Sequence, residues 1–118
     1  RAELAERAGV DEEFVGNLVR ARLLAPDAMD CFDGDDLALA TTAGKLREFG
    51  LDARHMKTIR TAASREADLI GQAAAPMARS KGDGARQKAE EMAREMTALL
   101  VTLHGTLLKR QVNYDLGR

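Results

Sequence analysis

Residues 85–112 read ARQKAEEMAREMTALLVTLHGTLLKRQV, with no proline and a single glycine, Gly105. No other stretch limits the fold so strongly. Ala, Glu, Met, Leu, Lys, Arg and Gln dominate it, and these side chains lose little freedom in a helix. At 1.5 Å of rise per residue the run makes a rod of roughly 42 Å, against a mean helix of about 11–12 residues. Its inward-facing residues form two neighbouring stripes. One holds Ala85, Ala89, Met92, Met96, Leu99, Leu103 and Thr106 in steps of three and four; the other holds Ala93, Leu100 and Leu107 in steps of seven, widened by Leu108. One stripe suits one neighbour, and two make a face wider than a small domain needs for itself. The helix is therefore expected to pack on its own chain and on a second copy, with Ala93, Met96, Leu100, Leu103 and Leu107 at the homodimer interface. The competing reading is the longest core helix of a monomeric bundle.

The rest of the chain reads as shorter helices. Residues 1–8 suit a helix with Leu4, Ala5 and Ala8 inward, closed by Gly9; Asp11 caps a second over 12–23 with Phe14, Val15, Leu18 and Val19 inward. Pro26 ends that reading. Residues 27–34 are an irregular connection, and Asp35 or Asp36 caps a third helix over 37–49, closed by Gly50. A fourth runs from Ala53 to about Ala74, with Met56, Ile59, Ala63, Ala67 and Ile70 recurring at three and four and Pro76 ending or kinking it. Residues 80–84, SKGDG, are a loop, and residues 113–118 a frayed tail. No strand alternation persists beyond a few residues, so the fold class is all-α. The 118 residues divide into a first part, 1–52, and a helical dimerisation region, 53–118, within one compact domain overall.

Charge is unevenly spread. Residues 1–52 carry six Lys or Arg and twelve Asp or Glu, giving −6; residues 53–118 carry twelve and seven, giving +5. No unbroken apolar run is longer than the four residues of 98–101, so no membrane partner is expected. The single cysteine, Cys31, excludes an intrachain disulfide and a paired-thiol metal site, and suits a cytoplasmic location. It reads as a small apolar residue packed beside Phe32. His55 follows a cap and reads as exposed, while His104 reads as packed or at the interface. No nucleophile, base and orienting group stand together, so neither an enzyme nor a cofactor is expected.

Particular strings carry a family resemblance. Residues 2–10, AELAERAGV, with Leu23-Leu24-Ala25-Pro26, Phe32-Asp33, Asp36-Leu37, and residues 47–51 followed by His55, Met56 and Ile59, resemble the successive helices and turns of a MerR-family winged helix-turn-helix. Residues 85–109 are similar to the C-terminal region of actinobacterial MerR-type regulators of cell-division genes. The resemblance implies a degenerate winged helix-turn-helix followed by a helical hairpin whose long last helix dimerises. It implies a transcription regulator that meets DNA through an upstream domain; the sequence marks neither the existence nor the identity of a small-molecule or protein effector. The departures fall where such a domain meets DNA. The second helix ends Gly16-Asn17-Leu18-Val19-Arg20-Ala21, without the expected aromatic residues and with only Arg20 and Arg22 as cations, the wing reads Met29-Asp30-Cys31-Phe32, and Asp11, Glu12, Glu13, Asp27, Asp30 and Asp33 crowd the face. An acidic face repels phosphate, so the helix-turn-helix is expected to keep its fold without reading DNA. The alternative is direct DNA contact through Arg20, Arg22, Arg54 and Lys57.

Overall fold

A computed structural model describes residues 1–117. The described residues form five helices: α1 (Ala2–Ala8), α2 (Glu12–Arg20), α3 (Gly34–Arg47), α4 (Ala53–Ala78) and α5 (Ala85–Asp115). No strand occurs among the described residues, as the all-α reading requires. Two compact units result, Arg1–Ala63 and a second beginning at Ser64. The division falls inside α4, so residues 53–63 fold with the first unit.

The first unit is centred on Leu4, Ala5, Phe14, Val15, Leu18, Leu24, Ala40, Ala43 and Met56. Helix α3 offers small residues to its neighbours. A Cβ on Gly44 would lie 2.6 Å from Val10 Cγ1, so only glycine admits the α1–α2 turn at this distance. Three helix ends share one geometry. Gly9, Arg22 and Gly50 have φ of 74°, 64° and 99°. The residue after each donates its amide back to the helix: Val10 to Ala5, Leu23 to Leu18 and Leu51 to Leu46, at 3.0, 3.0 and 3.2 Å. This Schellman arrangement turns the chain and lays Val10, Leu23 and Leu51 against the core. Arg22 has no glycine to announce it, so α2 stops at Arg20 instead of running to residue 23.

Aspartates begin α2 and α3. The Asp11 carboxylate accepts from the Phe14 amide at 2.6 Å. The third helix is capped by Asp33, not by Asp35 or Asp36, and begins earlier than expected, at Gly34. Asp36 instead completes a capping box, accepting from the Asp33 amide at 3.1 Å while Asp33 accepts from the Asp36 amide at 2.8 Å. Asp36 is buried and also receives the Ala25 amide at 3.2 Å, which ties the α2–α3 connection to α3. Within that connection Asp27 Oδ1 accepts from the amides of Met29 and Cys31 at 2.9 and 3.0 Å. This closed loop leaves Cys31 exposed; only its neighbour Phe32 packs on the core, a correction to the packed reading of Cys31.

Two further bounds differ from expectation. Helix α4 continues through Pro76 to Ala78, because the missing proline N–H and the ring clash fall in the last turn, which the Arg79 amide closes on Ala75 at 3.1 Å. Helix α5 continues to Asp115 where fraying was expected, with Gln111 donating to Asp115 at 2.9 Å. Arg118, at the end of the expected tail, lies outside the described residues.

Candidate functional site

In the second unit the only buried residues among those described are Ala85 and Ala89. Met92, Ala93, Met96 and Leu100 are half-buried, as are Ile70, Ala74 and Ala75 of α4. His104 Nδ1 lies 2.8 Å from Glu66 Oε1, joining α5 to α4 across the loop, with the imidazole side chain 53% exposed. Past Leu100, Gly105 alone among the described residues is half-buried. Leu99, Val101, Leu103, Leu107, Leu108, Val112, Tyr114 and Leu116 are all exposed. No charged residue stands between Glu95 and Lys109, so these turns are apolar or uncharged all round. A helix of that kind belongs in an interior, yet here it meets water. Among the described residues no helix is long and apolar enough to cross a membrane.

The five residues assigned from sequence to the interface divide accordingly. Ala93, Met96 and Leu100 are partly covered within the chain, whereas Leu103 and Leu107 are 56% and 51% exposed. The reading from stripes passed over Val101 and Val112, which with Leu108 make a third line at steps of seven and four. The signal for them was the charge-free interval itself.

The first unit holds a different set of groups. Arg20 and Arg22 are exposed, and Arg20 donates to Asn17 Oδ1. The residues at positions 29–32 form a loop, not a strand. Much of the acidic face is structural: Asp11, Asp27, Asp33 and Asp36 accept backbone amides as described, and Asp30 pairs with Arg1 at 3.7 Å. The Phe14 amide, and then Arg47 at 3.2 Å, hold the Asp11 carboxyl below its ordinary value. Arg47 also lies 3.9 Å over the Phe14 ring, so one guanidinium joins the end of α3 to the start of α2. Helices α2 and α3 carry Glu12, Glu13, Asp35 and Asp36 in their first turns, as the helix dipole favours, whereas α4 carries none. Arg54 and Lys57 are exposed there with Arg60. Arg54 pairs with Asp52 at 3.4 Å. An open cleft of about 340 Å³ also lies in this unit, where Leu4, Phe32 and Leu37 meet Arg1, Arg7 and Asp33. Among the described residues no cluster of His, Cys, Asp or Glu is placed to hold a metal.

Comparison with known proteins places this architecture. The family model described as "Rv1828-like, C-terminal domain" matches residues 1–116. Two curated relatives are each 36% identical over all 118 residues: the "Uncharacterized HTH-type transcriptional regulator" Rv1828 of Mycobacterium tuberculosis and its counterpart Mb1859 of Mycobacterium bovis. The chain spans about half, 48%, of the length of each. Both the extent of the family match and the full coverage of the chain by these relatives lead to one assignment: the chain belongs to the family of Rv1828-like C-terminal domains.

Proposed function

We propose that this chain is the pairing domain of a MerR-type, DNA-binding transcription regulator, with α5 joining two copies and so holding two DNA-reading domains that lie outside this chain. The observation that carries the reading is the charge-free stretch of α5 from Leu99 to Leu108, exposed except at half-buried Leu100 and Gly105, in a unit whose buried residues among those described are two alanines. Each leucine taken out of water contributes about 1.5–3 kcal/mol, and a second copy supplies matching leucines by symmetry. Pairing sets the separation of the two readers, which a palindromic site demands. An effector would act by favouring one arrangement of the pair over another. The relatives are named HTH-type regulators, which supports the DNA-linked role. The α1–α2 pair keeps a helix-turn-helix outline, and its polar front is taken up by caps and by Glu12 and Glu13. In this reading the domain is a cytoplasmic homodimer without catalytic activity.

Light scattering on the purified chain tests it. A dimer is expected at micromolar concentration, and Leu103→Glu with Leu107→Glu is expected to give a monomer of unchanged helical content. A wild-type monomer, or a dimer that survives both substitutions, overturns the assignment of the interface.

A further inference from the structure

We infer that the first half of α4 contacts the phosphate backbone of DNA without reading its sequence, through Arg54, Lys57 and Arg60 with the Thr58 hydroxyl beside them. This rests on the reading above only in taking DNA as the molecule the whole regulator is bound to. The four side chains are exposed, and no carboxylate occurs between Asp52 and Glu66. Among the described residues Lys57 and Arg60 take part in no ion pair, and Arg54 pairs only with Asp52. Like charges three residues apart on a helix repel, so the arrangement carries a cost that a bound anion removes. The three cations wrap about a third of the helix circumference over roughly 9 Å of its length, comparable with about three phosphates of one strand at 3.4 Å of axial rise each.

The chemistry of the face favours DNA over an acidic protein. Protein interfaces centre on buried apolar anchors. The one large exposed apolar residue here, Ile59, lies roughly 140° round the helix from Arg54, so no large apolar anchor is exposed among the three cations; Ala53, which falls between Lys57 and Arg60, is half-buried against the core. Phosphate recognition needs only Arg, Lys and hydroxyl donors. A reader already on DNA would also keep this face at high local concentration beside the duplex. The same reasoning passes over Arg20 and Arg22 of the helix-turn-helix. Arg20 is engaged by Asn17, and Glu12 and Glu13 stand at the front of the same helix.

The test is an amide-shift titration of the 118-residue chain with a short duplex of random sequence. Shifts are expected at residues 53–61. With three phosphates neutralised, the Kd is expected to rise about 20-fold as salt goes from about 20 to 60 mM. Lys57→Gln is expected to lower the log–log salt slope by about 0.9, and Arg54→Gln/Lys57→Gln/Arg60→Gln to abolish the shifts. Arg20→Gln/Arg22→Gln is expected to leave them in place. Absent shifts at low salt, shifts centred on α2, shifts that persist in the triple variant, or tighter binding of polyglutamate at equal charge concentration would each overturn the proposal. Light scattering on the same samples reports the oligomeric state separately, so a failed phosphate contact is distinguishable from a failed pairing.

Discussion

Gly44 is the position where one methyl group decides the packing of the first unit. The Cβ of an alanine there would stand 2.6 Å from Val10 Cγ1, which is inside any real van der Waals contact. Val10 cannot retreat easily, because its amide is held by the Ala5 carbonyl at 3.0 Å. Overpacking of this kind costs about 1–3 kcal/mol; Gly44→Ala is expected to lower the unfolding free energy measured in urea by that amount, without changing the helix content at low denaturant. The left-handed position of Arg22 works the other way. A non-glycine residue at φ 64° is held there by the Schellman bonds, and Arg22→Gly is expected to stabilise by about 0.5–1 kcal/mol, measured in the same unfolding experiment. Asp11 brings in pH. Its carboxyl is held below the ordinary value by the Phe14 amide and by Arg47. The stabilisation is therefore present above the unfolded-chain pKa of about 3.9 and is lost as pH falls through the folded value. Asp11→Asn keeps a capping oxygen and removes the charge. The gap in stability between wild type and Asp11→Asn is expected to be full at neutral pH and to close below about pH 4; a gap that is flat from neutral to acid would show that the charge is idle.

Helices follow their caps more closely than their apolar periods. Gly9, Gly50 and Asp11 are visible in the sequence as punctuation, and the helix ends they mark were legible. In Asp33-Gly34-Asp35-Asp36, three aspartates can each cap a helix, and only the reciprocal bonds between Asp33 and Asp36 choose among them. The end of α2 was illegible for a related reason: an arginine occupies the left-handed position that glycine usually announces. Along α5 the stripes were legible but the extent of their cover was not, since cover is a matter of what the helix meets and not of its own pattern. Hence Met96 and Leu100, equivalent in the heptads to Leu103 and Leu107, are half-buried while the latter are exposed. Pro76 gives a prediction at this scale. It removes one amide and crowds a carbonyl within α4, so Pro76→Ala is expected to lengthen the protected helix toward the 80–84 loop. Slower hydrogen exchange at residues 77–79 checks it.

For the whole molecule, the two units differ in what holds them. The first closes a core of leucine, valine, phenylalanine and methionine around α1, α2 and α3. The second buries two alanines and leaves six apolar residues of α5 between Leu99 and Val112 in water. A methyl or methylene group contributes about 0.8 kcal/mol on burial, so the alanines alone do little against the entropy of ordering a long hairpin, at about 1–2 kcal/mol per residue. If a second copy supplies the missing cover, the stability of the second unit depends on protein concentration by mass action. Each tenfold dilution removes about 1.4 kcal/mol per dimer. The first unit, with its own core, carries no such dependence beyond what it gains by attachment. Amide exchange at two concentrations separates the cases residue by residue. Protection at residues 99–112 is expected to fall on dilution toward the dissociation constant, while protection at Val15, Leu18 and Ala43 holds. In Leu103→Glu/Leu107→Glu the α5 protection is expected to be low and the same at every concentration. Equal protection of α5 in concentrated and dilute wild type would mean that the hairpin is stable alone, and that its bare leucines serve some other contact.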